Sequence, residues 1–354
     1  MRTLRMIAVL GVALLLATGA AAQTAKKPNI VILATGGTIA GAAASETDAG
    51  YQSGAGGVDI LIQAVPQLKD LANVTGEQIA SIGSQDMNDE VWLKLAKRVN
   101  ELLASKDVDG VAITHGTDTL EETSYFLHLV VKSDKPVVMT GSMRPSTAMS
   151  ADGPLNIYNA VAIAADPKAR GRGVLVTIDD DIHSAHDLVK THTTDVGTFS
   201  SGEAGLAGAV LFGATTWYRT PVQVHTAKSE LGIGDLKSLP RVDIIYAHAN
   251  MSPDLITAAA KNGAKGIVIA GVGDGNMTAP ALEAVKQAVA QGVVVVRSSR
   301  VNGGICRRNI EVNDDQLGTV ASMELNPSKA RVLLQLALLK SKDAKKVQDF
   351  FNRY

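Results

Sequence analysis

Two short stretches, each following an apolar run, hold the residues best suited to chemistry. The first reads Ile30-Val31-Ile32-Leu33-Ala34-Thr35-Gly36-Gly37-Thr38-Ile39-Ala40-Gly41. The second reads Gly110-Val111-Ala112-Ile113-Thr114-His115-Gly116-Thr117-Asp118-Thr119. In open parallel sheets, ligands sit at the carboxyl ends of the strands. Both stretches therefore offer hydroxyls, glycine-freed backbone amides and one carboxylate where a substrate is expected. That set suits covalent catalysis by a hydroxyl better than cofactor chemistry.

A threonine hydroxyl such as that of Thr38 is a poor nucleophile until a base takes its proton and nearby donors stabilise the oxyanion. The competing reading of the first stretch is a plain strand-to-helix turn. In the second, Asp118 beside Thr117 becomes catalytic if a lysine or another base reaches the pair, or it holds a substrate ammonium. Its competing reading is a solvated turn that caps the helix Leu120–Val131, because Thr119 and Glu122 have capping-box spacing. Ile82-Gly83-Ser84-Gln85-Asp86 and Thr140-Gly141-Ser142-Met143-Arg144-Pro145 also end strands with polar residues. Four polar strand ends in one domain are what a small polar ligand needs.

Other chemistries fit less well. The stretch Gly36–Gly41 has Thr38 where a dinucleotide fingerprint needs its second glycine, and it lacks the Gly-Lys-Ser/Thr ending of a phosphate loop. His183 and His186, near Asp179, Asp180, Asp181 and His192, raise the idea of a metal site. No second cluster with ligand spacing accompanies them, so this segment reads as an exposed loop and no metal is expected. The chain carries neither a Gly-x-Ser-x-Gly elbow nor a His-Glu-x-x-His helix.

The elements that must position these residues alternate between strands and helices. Strands are expected at Asn29–Leu33, Gly110–Thr114, Pro136–Thr140, Gly173–Ile178, Val242–His248, Gly266–Gly271 and Val293–Arg297. Runs such as Val293–Val296 are apolar on both faces, as buried parallel strands require. A helix over Glu90–Ala104 carries Val91, Leu95, Val99, Leu102 and Leu103 on one stripe, with Asn88 or Asp89 as its cap. Ser252-Pro253-Asp254 signals another helix start. Two helices, about Pro327–Lys340 and Ala344–Asn352, close the chain. This alternation predicts an α/β protein of two doubly wound domains, the larger N-terminal. Composition breaks near residues 215–241, giving residues 23–218 for the first domain, 219–240 for a linker and 241–354 for the second. The irregular stretch from Gly41 to Gly57 carries Tyr51 and reads as a lid over the catalytic turn.

Composition narrows the classes. A length of 354 residues allows one to three domains. Aromatic content of 4% argues against a nucleic-acid stacking platform, and a net charge of −1 with no basic run gives no nucleic acid or anionic membrane a hold. Residues 1–22 read as a signal peptide. Arg2 and Arg5 form its charged head, Met6–Ala17 is an apolar run too short to span a bilayer, and Ala20-Ala21-Ala22 supplies a cleavage site. Cleavage there removes both arginines and shifts the charge from −1 to −3. The mature protein is expected in the periplasm, with no membrane association. Cys306, the single cysteine, reads as a packed bystander thiol.

At these residues the chain resembles the bacterial type II L-asparaginases, including the glutaminase-asparaginases, over about Lys27–Tyr354. Ala34–Gly41 and Gly110–Thr119 match the two family signatures. Met143–Pro154 and Val296–Val301 match further family blocks. The resemblance implies Thr38 as nucleophile on a mobile loop, with Tyr51 closing over it. It implies Thr117, Asp118 and Lys190 as the second catalytic group. Ser84, Gln85, Asp118 and Ser142 match substrate-holding positions, and Asn276 and Glu311 match residues lent by a neighbouring subunit. A homotetramer with shared active sites and no cofactor follows by the same resemblance. Three departures touch the preference between asparagine and glutamine. Ser142 stands where many strict asparaginases have alanine, Asp274 replaces a common asparagine, and Gln52–Gly56 differs from the usual lid.

The expected reaction is hydrolysis of L-asparagine to L-aspartate and ammonia, with lesser action on L-glutamine. A zwitterionic substrate wants donors for its carboxylate and acids for its ammonium. One alternative is a glutaminase-asparaginase using both amides comparably. Two others are of different class: a periplasmic amino-acid binding protein and a nucleotide-dependent enzyme, the latter weakened by its broken fingerprints.

Overall fold

The structure is a computed structural model that describes residues 26–43, 45, 51–52, 54 and 56–354. The expected signal peptide, residues 1–22, lies outside the described residues, and so does much of the expected lid. In chain order the strands are β1 (Asn29–Gly36), β2 (Ala42–Ala43), β3 (Tyr51–Gln52), β4 (Asn73–Ile82), β5 (Gly110–Thr114), β6 (Val137–Thr140), β7 (Val174–Ile178) and β8 (Asp181–Ser184). They continue with β9 (Val189–Lys190), β10 (Phe199–Ser200), β11 (Gly208–Leu211), β12 (Ala214–Trp217), β13 (Val242–Tyr246), β14 (Gly266–Gly271), β15 (Val294–Ser299) and β16 (Val320–Ala321).

Eight strands form one sheet in the order β12-β11-β8-β7-β6-β5-β1-β4. From β4 to β7 neighbours run parallel; β8, β11 and β12 are added antiparallel. A second sheet, β13-β14-β15-β16, is parallel throughout. Alternation along β1 divides two cores. Val31 and Leu33 pack with the helices Asp89–Ala104 and Leu120–Val130, whereas Ile30, Ile32 and Ala34 pack with Val58–Gln63, Leu68–Leu71 and Gly153–Ala165. A sheet covered on both faces needs strands apolar on both faces, and that is how β1 and β5 were recognisable. Around β14, Ile267 and Ile269 face the helices Asp254–Lys261 and Ala279–Ala290, and Val268 faces the helix Pro327–Ala337. That last helix also packs on Leu120–Val130, so the larger core runs unbroken from one sheet to the other.

Several local readings change. Thr215–Trp217, where the composition breaks, is β12 in the large sheet. Asn88 caps the helix Asp89–Ala104, its Oδ1 accepting from the Val91 amide at 3.1 Å. Thr119 makes no cap bond; its hydroxyl donates to the Ser84 carbonyl at 2.8 Å instead. The His183–His186 segment is not an exposed loop. His183 lies on β8, and both histidines are buried. The helix Pro327–Ala337 covers this segment, with Lys329 Nζ donating to the His186 carbonyl at 2.7 Å.

Burial of the histidines has a pH consequence. His128 accepts from the Val174 amide at 3.1 Å through Nδ1, and its ring lies 4.9 Å from that of His225. Burial, then the nearby His225 and His186, holds His128 well below its ordinary value. Burial likewise brings His115 and His183 down to about 4. The unfolded chain gains protons at histidine from about pH 6.5 downward, and the folded chain does so only further down. Unfolding is therefore favoured progressively from about pH 6.5 towards 4. The melting temperature should fall steeply across that range, and His128→Gln, which keeps an acceptor for the Val174 amide, should flatten the fall. Thermal unfolding at half-unit pH steps checks this; an unchanged slope would remove His128 from the account.

Candidate active site

Three strand ends meet at backbone distance. β1 ends in Gly36 and Gly37, both at positive φ (107° and 82°), and a short 3-10 turn, Thr38–Ala40, follows. A side chain at Gly37 would place its Cβ 2.3 Å from the Gly116 nitrogen. One at Gly116 would lie 2.7 Å from Ser84 Oγ. Only hydrogen fits at both places, so the Thr38 turn, the Thr117 turn and the Ser84 turn nest together. Hydrogen bonds fasten the nest. Gly37 N donates to the Ile82 carbonyl at 2.9 Å, Thr35 Oγ1 to the Thr114 carbonyl at 3.0 Å, and Asp118 N to Ser84 Oγ at 3.1 Å.

Lys190 reaches this nest from β9. Its Nζ donates to Thr117 Oγ1 at 3.0 Å and to Asp118 Oδ1 at 2.7 Å. Thr38, Ser84 and Thr117 are buried, the Lys190 side chain is 17% exposed, and that of Asp118 is 61% exposed. The strand ends thus hold the hydroxyls, the β9 hairpin brings in the ammonium, and a carboxylate is left open to a ligand. His115 sits behind, fully buried, with its Nδ1 2.7 Å from the Gly116 carbonyl oxygen.

The remaining expected residues fall around or apart from this centre. Gln85 follows Ser84 and is exposed. Ser142 is fully buried, and its hydroxyl donates to the Arg144 carbonyl at 2.8 Å. Asp152 holds that loop by accepting from the Met143 and Arg144 amides at 2.9 and 3.0 Å. Tyr51 is described by its backbone alone: β3 pairs with β2, and beyond it Gly54 N donates to the Gly37 carbonyl at 3.0 Å. The loop therefore returns onto the Thr38 turn.

Asn276 and Glu311 belong to the second sheet's end. The two are hydrogen-bonded to each other, Asn276 Nδ2 donating to Glu311 Oε2. The two loops that bear them are braced by a buried ion pair, Arg297 to Asp314, with contacts of 2.7 and 2.8 Å. Arg297 also donates to the Asp274 carbonyl at 2.9 Å. Although burial opposes it, this pairing holds Asp314 below the usual carboxylate range. Cys306 packs beside Arg297 with its thiol pushed up to about 11 by burial, so it offers no ready nucleophile.

Sequence reasoning missed Glu121. It is 8% exposed, and its Oε2 accepts the Lys190 backbone amide at 2.8 Å. A buried acid two residues past Thr119 looks like an ordinary helix-start acid, so the sequence alone offered no signal.

The nest predicts the effect of one methyl group. Gly37→Ala should destabilise the fold by about 3 kcal/mol, because the new Cβ meets backbone and the φ is unfavourable. Catalytic turnover in whatever fraction still folds should fall as well. Urea unfolding together with an activity assay on the soluble fraction checks both.

Comparisons with known proteins identify the family. The family described as Asparaginase, N-terminal matches residues 29–223, and the Glutaminase/Asparaginase C-terminal domain matches residues 241–351. The Haemophilus influenzae protein named probable L-asparaginase periplasmic is 52% identical over 333 residues, covering 94% of this chain and 95% of its own. The Pseudomonas fluorescens glutaminase-asparaginase is 50% identical over 331 residues, covering 93% and 91%. A crystal structure titled probable cytoplasmic L-asparaginase from Campylobacter jejuni superposes with a TM-score of 0.90 at 48% identity, over 93% of this chain and 100% of that one. With both family regions matched in order and half of its residues shared with such relatives, this chain belongs to the asparaginase family.

Proposed function

We propose that this protein hydrolyses L-asparagine to L-aspartate and ammonia through an acylated threonine. The observation that carries the reading is the Lys190 ammonium bonded to both Thr117 and Asp118, in a nest whose next strand end bears Thr38. Thr38 Oγ attacks the side-chain amide carbon, and its proton passes to the departing nitrogen, which leaves as ammonia. Water then attacks the acyl-threonine ester and releases aspartate. Thr117, Asp118 and Lys190 form the group that relays protons, and Tyr51 closes over the turn.

Recognition follows from charge. Ser84 and Gln85 offer donors to the substrate's α-carboxylate, and the exposed Asp118 side chain takes its ammonium. Asn276 and Glu311 complete the site from a neighbouring subunit in a homotetramer. Export to the periplasm through residues 1–22 accompanies this reading, as does the division into residues 23–218, 219–240 and 241–354.

Comparable use of L-glutamine is the second reading, and Ser142 favours it, since a serine stands there as in glutaminase-asparaginases. Against it, the Ser142 hydroxyl is engaged by the Arg144 carbonyl within its own loop. That engagement supports L-asparagine as the preferred substrate.

Thr38→Ala should fold normally and lose about 10³-fold or more in kcat for ammonia release from L-asparagine. The same assay with L-glutamine ranks the two amides, and tight amino-acid binding without ammonia would favour a binding protein instead. Co-assembling inactive Thr38→Ala and Glu311→Ala subunits should restore part of the activity if sites are shared. No recovery in verified mixed oligomers would make each site self-contained.

A further inference from the structure

Lys190 rides on β9, two residues long, which pairs with β10 in a hairpin outside both large sheets. A lysine on so small an element needs a backbone anchor if its ammonium is to stay within hydrogen-bond reach of Thr117. Glu121 supplies one. It lies in the first turn of the helix Leu120–Val130, directly after Thr117 and Asp118. One turn of chain therefore grips Lys190 at both ends: Thr117 and Asp118 take the ammonium, and Glu121 takes the backbone amide.

The other oxygen of Glu121 leads to the second domain. Glu121 Oε1 accepts from Asn326 Nδ2 at 3.0 Å. Asn326 caps the helix Pro327–Ala337, its Oδ1 accepting from the Lys329 amide at 3.0 Å. Three residues on, the buried Lys329 Nζ donates to the His186 carbonyl at 2.7 Å. The first turn of this helix thus holds His186 directly and Lys190 through Glu121, bracketing the segment that delivers the lysine.

We infer that Glu121, seated by Asn326 from the second domain, is a positioning residue that sets the reach of Lys190 to Thr117 and Asp118. Glu121 itself does not meet the substrate. The inference rests on the proposed role of Lys190. Its physical content is that displacing a proton-relay group by about 1 Å can cost on the order of 10²-fold in rate while leaving substrate binding nearly intact.

Polarity reversal tests it. In Glu121→Gln the new amide can still accept from the Lys190 backbone, but its NH2 then faces the NH2 of Asn326. Adding Asn326→Asp turns that clash back into a donor–acceptor pair, keeps the net charge and retains a good helix cap. Steady-state kinetics on L-asparagine, with melting temperatures for every variant, give the readout. Glu121→Gln should lose about tenfold in kcat with KM changed less than about twofold, and the Glu121→Gln/Asn326→Asp pair should regain most of that loss. An unchanged kcat in folded Glu121→Gln, or a loss that the second substitution does not repair, would overturn the inference. Lys190→Met is measured alongside. If it keeps wild-type kcat, the reading of the site itself fails. If it loses kcat while Glu121→Gln does not, only the positioning role fails.

Discussion

The site depends on a contact with no room for a side chain. At Gly37 and Gly116 two strand ends touch backbone to backbone, and Ser84 closes the third side. Every other feature follows from that closeness. Thr38 and Thr117 emerge from adjacent turns because their glycines are in contact. Asp118 is oriented because its amide is held by Ser84 Oγ. The parallel order β4-β1-β5 is what brings these three carboxyl ends to one edge. The crowded positions flank the reactive hydroxyls rather than bearing them, so the turns are rigid where the backbone is packed.

The second domain contributes through one helix. Pro327–Ala337 lies between the small parallel sheet and the helix Leu120–Val130, burying Leu333, Leu334 and Leu336 in a core shared by both. Burial of this kind is nondirectional and fixes proximity only. Direction comes from the polar end of the same helix, where Asn326 and Lys329 make specific bonds to Glu121 and to the His186 carbonyl. Breaking such buried bonds costs more than making them gains, because the abandoned groups lose water as well. Register between the domains is thereby tied to the segment that carries Lys190.

Much of this was legible in the sequence, and the exceptions share a cause. β1, β5, β14 and β15 were recognisable because buried parallel strands are apolar on both faces. β4 was not delimited, since Asn73–Ile82 is an edge strand whose polar residues stay exposed. The reversal at β8, β11 and β12 left no mark, because an apolar run does not state its direction. His183 and His186 read as loop residues among acids; the helix that buries them starts 141 residues after His186, at Pro327. Thr38, Thr117 and Asp118 stood out by residue type and position, Lys190 was named only from resemblance, and the fold brings Lys190 to Thr117 and Asp118 across more than 70 residues of chain. Glu121 escaped because its partner Asn326 is 205 residues away. What local pattern encodes was readable, and what long-range docking decides was not.

The open side of the nest explains why a cover over the site, such as the proposed neighbouring subunit, would matter physically. With its side chain 61% exposed, Asp118 would meet a substrate ammonium largely in water. Two unit charges 4 Å apart interact by about 1 kcal/mol in bulk water and by about 4 kcal/mol at the effective dielectric constant of a protein surface. Covering the site therefore raises the grip on a zwitterion without adding a single contact to Asp118. The nest itself cannot provide that cover, since its own walls are fixed by the glycine contacts beneath them. Cover must come from a loop that returns, as the chain at Gly54 does onto the Thr38 turn, or from a second body. In the proposed assembly, the loops that bear Asn276 and Glu311, joined to each other and braced by the buried Arg297–Asp314 pair, would serve that second role. A rigid cover costs little entropy at the moment of binding, which is what a small substrate with few atoms to grip requires.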